Sequence, residues 1–172
     1  MRNLARILSV SLLFLACSAS GLAQATDIWE PLRFLIGTWE AKTSGGTAGA
    51  QSIGVYSFAT ELKGQILARH SGGTDCKAPA EFDCDHSDLL YLYPEGSAIK
   101  AIYFDNEGHV IHYTVTTPTP TSAVFLSDPA APGPQFRLMY ERKAETLSGK
   151  FQMKMPGQND YRSYLEWSGS KK

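Results

Sequence analysis

From Thr38 to the C-terminus, apolar and polar residues alternate with a period of two, broken about every 8–15 positions by Gly, Pro, Asn or Asp. That pattern predicts strands separated by turns. Ten segments satisfy it, near residues 38–44, 50–62, 65–71, 87–93, 98–105, 109–117, 122–127, 135–143, 147–155 and 161–168. Lys63-Gly64, Asn106-Glu107-Gly108 and Pro156-Gly157-Gln158-Asn159 read as tight turns. Links this short make neighbouring strands antiparallel, since a parallel pair needs a crossover of a dozen residues or more. Ten strands in up-and-down order expose two long edges unless the sheet closes on itself. The expected fold is therefore all-β: an antiparallel up-and-down barrel of about ten strands, with an open sandwich as the alternative.

The alternation also predicts which side chains face inward. Along the ninth segment, Leu147, Phe151, Met153 and Met155 alternate with Ser148, Lys150, Gln152 and Lys154. Trp39 and Ala41 face inward from the first. The fifth contributes Ile99, Ala101 and Tyr103, and the sixth Ile111, Tyr113 and Val115. Phe136, Leu138 and Tyr140 come from the eighth, and Tyr161, Ser163, Leu165 and Trp167 from the tenth. In the third, His70 follows Ile66 and Ala68 on the face opposite Arg69, which places His70 inward. The second, fourth and seventh segments are apolar on both faces and assign nothing.

Before the strands the pattern changes. Asp27 is a fitting N-cap for a short helix over Ile28 to Ile36, with Pro31 in its first turn and Gly37 ending it. Upstream, Arg2 and Arg6 precede ten apolar or small residues from Ile7 to Ala16, and Gly21-Leu22-Ala23 and Ala23-Gln24-Ala25 offer small-x-small cleavage sites. Together these describe a secretory signal over residues 1–25, leaving 26–172 as one domain. Ten apolar residues reach about half way across a bilayer core. Leu13-Phe14-Leu15-Ala16-Cys17 also resembles a lipoprotein box, so cleavage at Cys17 would tether the chain to a membrane. Cleavage near Ala23 or Ala25 would release it, and release is the expectation.

The leader holds two of the 16 basic residues and none of the 17 acidic ones, so the remaining chain has 14 against 17, a net of −3. Nonspecific nucleic-acid binding needs a concentrated basic surface, so no nucleic-acid partner is expected. Loss of the leader leaves two cysteines, Cys76 and Cys84. In an oxidising compartment a disulfide is their simplest state. Two free thiols, or a metal site from Cys76, Cys84, Asp85 and His86, are the alternatives, although the spacing follows no established metal pattern. No metal is expected.

Ile36-Gly37-Thr38-Trp39-Glu40, after a short apolar helix and at the start of the first strand, resembles the Gly-x-Trp opening of calycin barrels. That group includes lipocalins, fatty-acid-binding proteins and nitrobindin-like haem barrels. The longer stretch Pro31 to Glu40 is similar to the opening of uncharacterised exported members. The resemblance implies a barrel whose end is plugged by Trp39, with Gly37 allowing the tight turn into it. Ala41 and Thr43 stand where nitrobindin-like chains carry further glycines, and no His follows His112 where those chains place their haem ligand. No cofactor is expected. Fatty-acid-binding proteins hold a carboxylate with an Arg-x-Tyr pair on the last strand. Arg162-Ser163-Tyr164 has that spacing, but its face continues to Glu166, so both side chains are expected in water.

No nucleophile elbow, phosphate loop or His-Glu-x-x-His helix is present, and no catalytic residue is assigned. His109 and His112, three apart, project to opposite faces of a strand and read as structural. Asp83, Asp85, His86 and Asp88 read as a solvated loop end. What stands out is eight Tyr and eight Phe, many on predicted inner faces. The expectation is an extracytoplasmic barrel holding a small apolar or amphipathic molecule, lined by Tyr103, Tyr113, Tyr140, Phe151 and Met153, with His70 inward and Trp39 at one end. Three alternatives remain: a barrel filled solidly by side chains and acting through residues 72–86, a barrel-mouth enzyme using His70 and a Tyr, or a haem-binding protein.

Overall fold

The computed structural model describes residues 27–172; the expected leader, with the cleavage sites expected at Cys17 or near Ala23 or Ala25, lies outside the described residues. Ten strands follow one another: β1 (Gly37–Gly45), β2 (Gln51–Glu61), β3 (Ile66–Lys77), β4 (Ser87–Glu95), β5 (Ala98–Asp105), β6 (Val110–Thr119), β7 (Ser122–Ser127), β8 (Gln135–Lys143), β9 (Thr146–Lys154) and β10 (Arg162–Lys171). Each pairs antiparallel with its sequence neighbours, and β1 pairs with β10 to close the barrel. The closing register sets Trp39 against Lys171, Ala41 against Gly169 and Thr43 against Trp167. Closure satisfies the backbone donors and acceptors that two free edges would leave open.

Two expectations need correction. The N-terminal segment is not an α-helix from Asp27 but a six-residue 3-10 helix, Glu30–Leu35. Glu30 precedes Pro31, which steers it away from the α conformation, and only a few residues separate Pro31 from Gly37. The bonds formed are i to i−3, Leu32 N–H to Trp29 O at 2.9 Å and Ile36 N–H to Arg33 O at 3.1 Å. Asp27 instead accepts the Trp29 backbone N–H at 3.0 Å and pairs with Arg33 at 2.6 Å. The second correction is that β3 runs on to Lys77, so the long loop is 78–86 rather than 72–86.

The 3-10 helix stoppers one end of the barrel, with Trp29, Leu32, Phe34 and Leu35 buried. Its Leu35 carbonyl accepts the Trp39 indole N–H at 2.8 Å, and the Trp29 indole N–H donates to the Gly64 carbonyl at 2.8 Å. Trp39 is fully buried. Gly37 has φ +136°, a conformation that side chains with a Cβ rarely adopt, and it turns the chain from helix into β1. Above the stopper, Phe58, Leu67, Leu90, Leu92, Phe125, Tyr140 and Leu147 fill the section. Tyr140 is the hub: its ring meets Phe58 at 5.4 Å, Trp167 at 5.8 Å and Phe125 at 6.0 Å, all edge to face. Such pairs add about 0.5–1.5 kcal/mol each beyond burial.

Candidate functional site

The other half of the barrel is not filled. A cavity of about 490 Å³ opens at the end formed by the β3–β4, β5–β6 and β7–β8 connections. Its wall is mostly apolar, with Val55, Ile111, Leu138, Phe136, Phe151, Met153 and Leu165 among the lining side chains. Phe136 and Phe151 stack at 5.7 Å with their planes 11° apart. The change from filled to hollow has a local cause at β9–β10. Gly149 occupies an inward position, and the Trp167 indole lies across it. A Cβ at residue 149 would stand 2.1 Å from that ring, so only glycine lets Trp167 lie flat. Cys76 and Cys84 form a disulfide, with Cα atoms 5.5 Å apart, and both border the cavity. The bridge ties the 78–86 rim to the end of β3.

Of the predicted lining residues, Tyr103, Tyr113, Phe151 and Met153 border the cavity. Tyr140 and Trp39 lie below it in the filled half. His70 is a correction: it points outward, half exposed, with Nε2 2.8 Å from Glu61 and its ring edge-on to Tyr91. The inward series on β3 is Leu67, Arg69 and Ser71, opposite in parity to the expected one. Arg69 gains Asp88 and Tyr140 as partners inside, which outweighs the apolar hint of Ile66 and Ala68. A bulge in β10 between Ser163 and Leu165 brings both Tyr164 and Leu165 to the cavity, while Arg162 stays in solvent. Tyr161 lies instead under the Arg137 guanidinium, 4.2 Å from its ring centre, and Met155 is exposed beyond the end of β9.

A ladder of polar groups climbs one wall from floor to mouth. Arg69, buried, donates to Tyr140 Oη and to Asp88 Oδ1. Asp88 Oδ2 accepts from Ser71 Oγ at 2.6 Å and lies 3.4 Å from His86 Nε2. His86 Nδ1 meets Glu107 Oε1 at 2.9 Å, and Tyr103 Oη lies 3.2 Å from both His86 Nε2 and Asp105 Oδ2. His109 Nδ1 completes it, 2.8 Å from Asp105 Oδ2.

The electrostatics follow from these contacts. Burial alone would raise the Asp88 carboxyl, but Arg69, His86 and Ser71 hold it well below the usual carboxylate range. Hydrogen bonding to Asp88, against the cost of burial and with help from Glu107, lifts His86 to about 9, so it is protonated at pH 7. Burial raises the phenols of Tyr56, Tyr103, Tyr113 and Tyr164, so they face the cavity neutral.

No known protein family and no curated protein matches this chain. What the site can do is therefore read from its own groups.

Ser71, Asp88 and His86 are neighbours, but in the wrong order for nucleophilic catalysis. The carboxylate sits between the other two, so the Ser71 hydroxyl donates to Asp88 and no imidazole is placed to take its proton. A protonated His86 is also a poor general base near neutrality. His86, Asp105 and Glu107 each offer one ligand atom, all within 4.8 Å of one another, so they are the described residues best placed to hold a cation. The same imidazole already pairs with Glu107 and Tyr103, and a metal would have to displace those contacts.

Asp88 and His86, expected in a solvated loop end, are thus central to the site. Arg69, Tyr56, Tyr164 and Trp167 were not expected to carry its chemistry. The one usable signal was Arg69 on the same face as Leu67 and beside Ala68, with an acid, Asp88, at the second position of the next strand.

Proposed function

We propose that this chain is an extracytoplasmic carrier barrel of the calycin type that holds one small apolar or amphipathic molecule. The observation that carries the reading is the open-mouthed, mostly apolar cavity of about 490 Å³ above a filled and plugged end. That volume lies within the range of sites for small organic ligands. The Gly37-x-Trp39 opening and the up-and-down closure favour kinship with calycins. The Cys76–Cys84 disulfide favours an oxidising compartment, and among the described residues no helix is long and apolar enough to cross a membrane.

The test is uptake of an uncharged fluorescent probe, N-phenyl-1-naphthylamine. Wild type is expected to bind it with a blue-shifted, enhanced emission. Met153→Trp, which fills part of the cavity, is expected to weaken uptake at least tenfold with its melting temperature little changed. Absence of probe binding to folded wild-type protein rejects the reading.

A further inference from the structure

We propose, resting on the carrier reading, that the cavity selects an uncharged amphiphile that enters polar end first and delivers a hydrogen-bond acceptor, such as a carbonyl oxygen, to Tyr56 and Arg69 at the floor. Two observations carry this together: unpaired donors ask for an acceptor, which an ammonium lacks, and the charge of the mouth disfavours an anion.

The first is a set of buried donors without partners. Tyr56 Oη, Arg69 Nε and Trp167 Nε1 make no hydrogen bond within the protein, and all three residues line the cavity. Tyr56 and Arg69 are each only 5% exposed. Folded proteins satisfy most such groups, because a buried donor left unpaired is costly. Turning the Trp167 indole N–H onto the Tyr56 oxygen would satisfy the indole but leave the phenol hydrogen free. Arg69 uses one hydrogen of each Nη on Tyr140 and Asp88, and Nε makes no bond at all. The three residues converge around one ring: Tyr140 lies 6.2 Å from Tyr56 and 5.8 Å from Trp167, and accepts from Arg69. These donors sit behind the cavity wall with almost no surface of their own exposed, so a small turn of the Tyr56 or Arg69 side chain is what would bring them to a ligand acceptor.

The second is charge. Five carboxylates line the cavity and its mouth (Glu81, Asp83, Asp88, Asp105 and Glu107) against two cations, Arg69 and the protonated His86. The net of about −3 repels an anion on its way in, and the cation at the floor is already neutralised by Asp88. A fatty-acid carboxylate therefore gains little from Arg69 and meets five like charges. A neutral carbonyl takes the free donors without that repulsion.

The experiment uses the folded wild-type protein, with N-phenyl-1-naphthylamine displaced in turn by 2-decanone, decanoate, decylamine and decane. The ketone is expected to bind about tenfold more tightly than decane, and decanoate at least tenfold more weakly than the ketone. In Tyr56→Phe, decane affinity is expected to stay unchanged while the ketone falls to within about threefold of it, the loss of one neutral hydrogen bond. A purely structural hydroxyl would move all four ligands together. Arg69→Lys, which removes the Nε–H while keeping a cation beside Asp88, is the second variant, should Tyr56→Phe not fold. Tightest binding by decanoate or decylamine, or a ketone preference that survives both variants, overturns this inference while the carrier reading stands. Failure of wild type to bind the reporter overturns both.

Discussion

Breaking the ion pair inside the barrel gives the sharpest test of how the site is held. In Asp88→Asn, Arg69 keeps one hydrogen-bond acceptor but loses the charge that offsets its burial. Both side chains are under 10% exposed, so water cannot screen the guanidinium that remains. Losing one partner of a buried pair costs about 3–5 kcal/mol. For a domain of this size each kcal/mol lowers the melting temperature by about 2–4 °C, so a fall of about 6–20 °C is expected. Replacing both members, Arg69→Met with Asp88→Leu, removes the charge burial altogether. It leaves the Tyr140 and Ser71 hydroxyls without their partners, so recovery to within about 1–2 kcal/mol of wild type is expected rather than a gain. Chemical denaturation of wild type, Arg69→Met, Asp88→Leu and the double variant closes a double-mutant cycle; with each single costing about 3–5 kcal/mol and the double about 1–2 kcal/mol, the coupling is expected at about 4 kcal/mol or more. A cost below about 1 kcal/mol for Asp88→Asn, or a double variant as unstable as the two singles summed, would refute the pair as an electrostatic unit.

Two further outcomes follow from the same contacts. His86, lifted to about 9 from 6.5, contributes stability that is fully present below pH 6.5 and is lost as the pH rises through about 9. The shift corresponds to about 3 kcal/mol, and with the ring 32% exposed, screening leaves about 1–2 kcal/mol. Histidine NMR should place its midpoint near 9, and His86→Gln should flatten the stability profile between pH 6.5 and 9; a midpoint below 7 contradicts the assigned contacts. Replacing Cys76 and Cys84 by Ser reopens a loop of nine residues. Urea denaturation should show a loss of about 2–3 kcal/mol, and an unchanged midpoint would mean that the rim holds its place without the bridge.

The strands were legible because each reports its own environment: alternation, a turn residue and a short link are all local. Segments near 98–105, 122–127 and 135–143 match β5, β7 and β8 to the residue. Inner faces were readable where charged residues stood on the other side, as with Phe136, Leu138 and Tyr140 against Arg137 and Glu141. Elsewhere that contrast misleads. On β3 the inward Arg69 has the polarity of a solvent residue, because its compensating acid lies 19 residues away on β4. On β10 a bulge altered the phase that strict alternation assumes, so Tyr161 was placed inside and Tyr164 outside.

By itself, then, the sequence determined ten amphipathic strands in up-and-down order, for which closure is the economical arrangement, and the inward faces that carry Tyr103, Tyr113, Phe136, Tyr140 and Phe151. Only the tertiary structure decided that the barrel is filled below and hollow above. That depends on Trp167 lying across Gly149 from the neighbouring strand, on a 3-10 plug against Trp39, and on Arg69 finding Asp88. Each is a contact between residues distant in the chain, and a one-dimensional pattern carries period and polarity but not who meets whom.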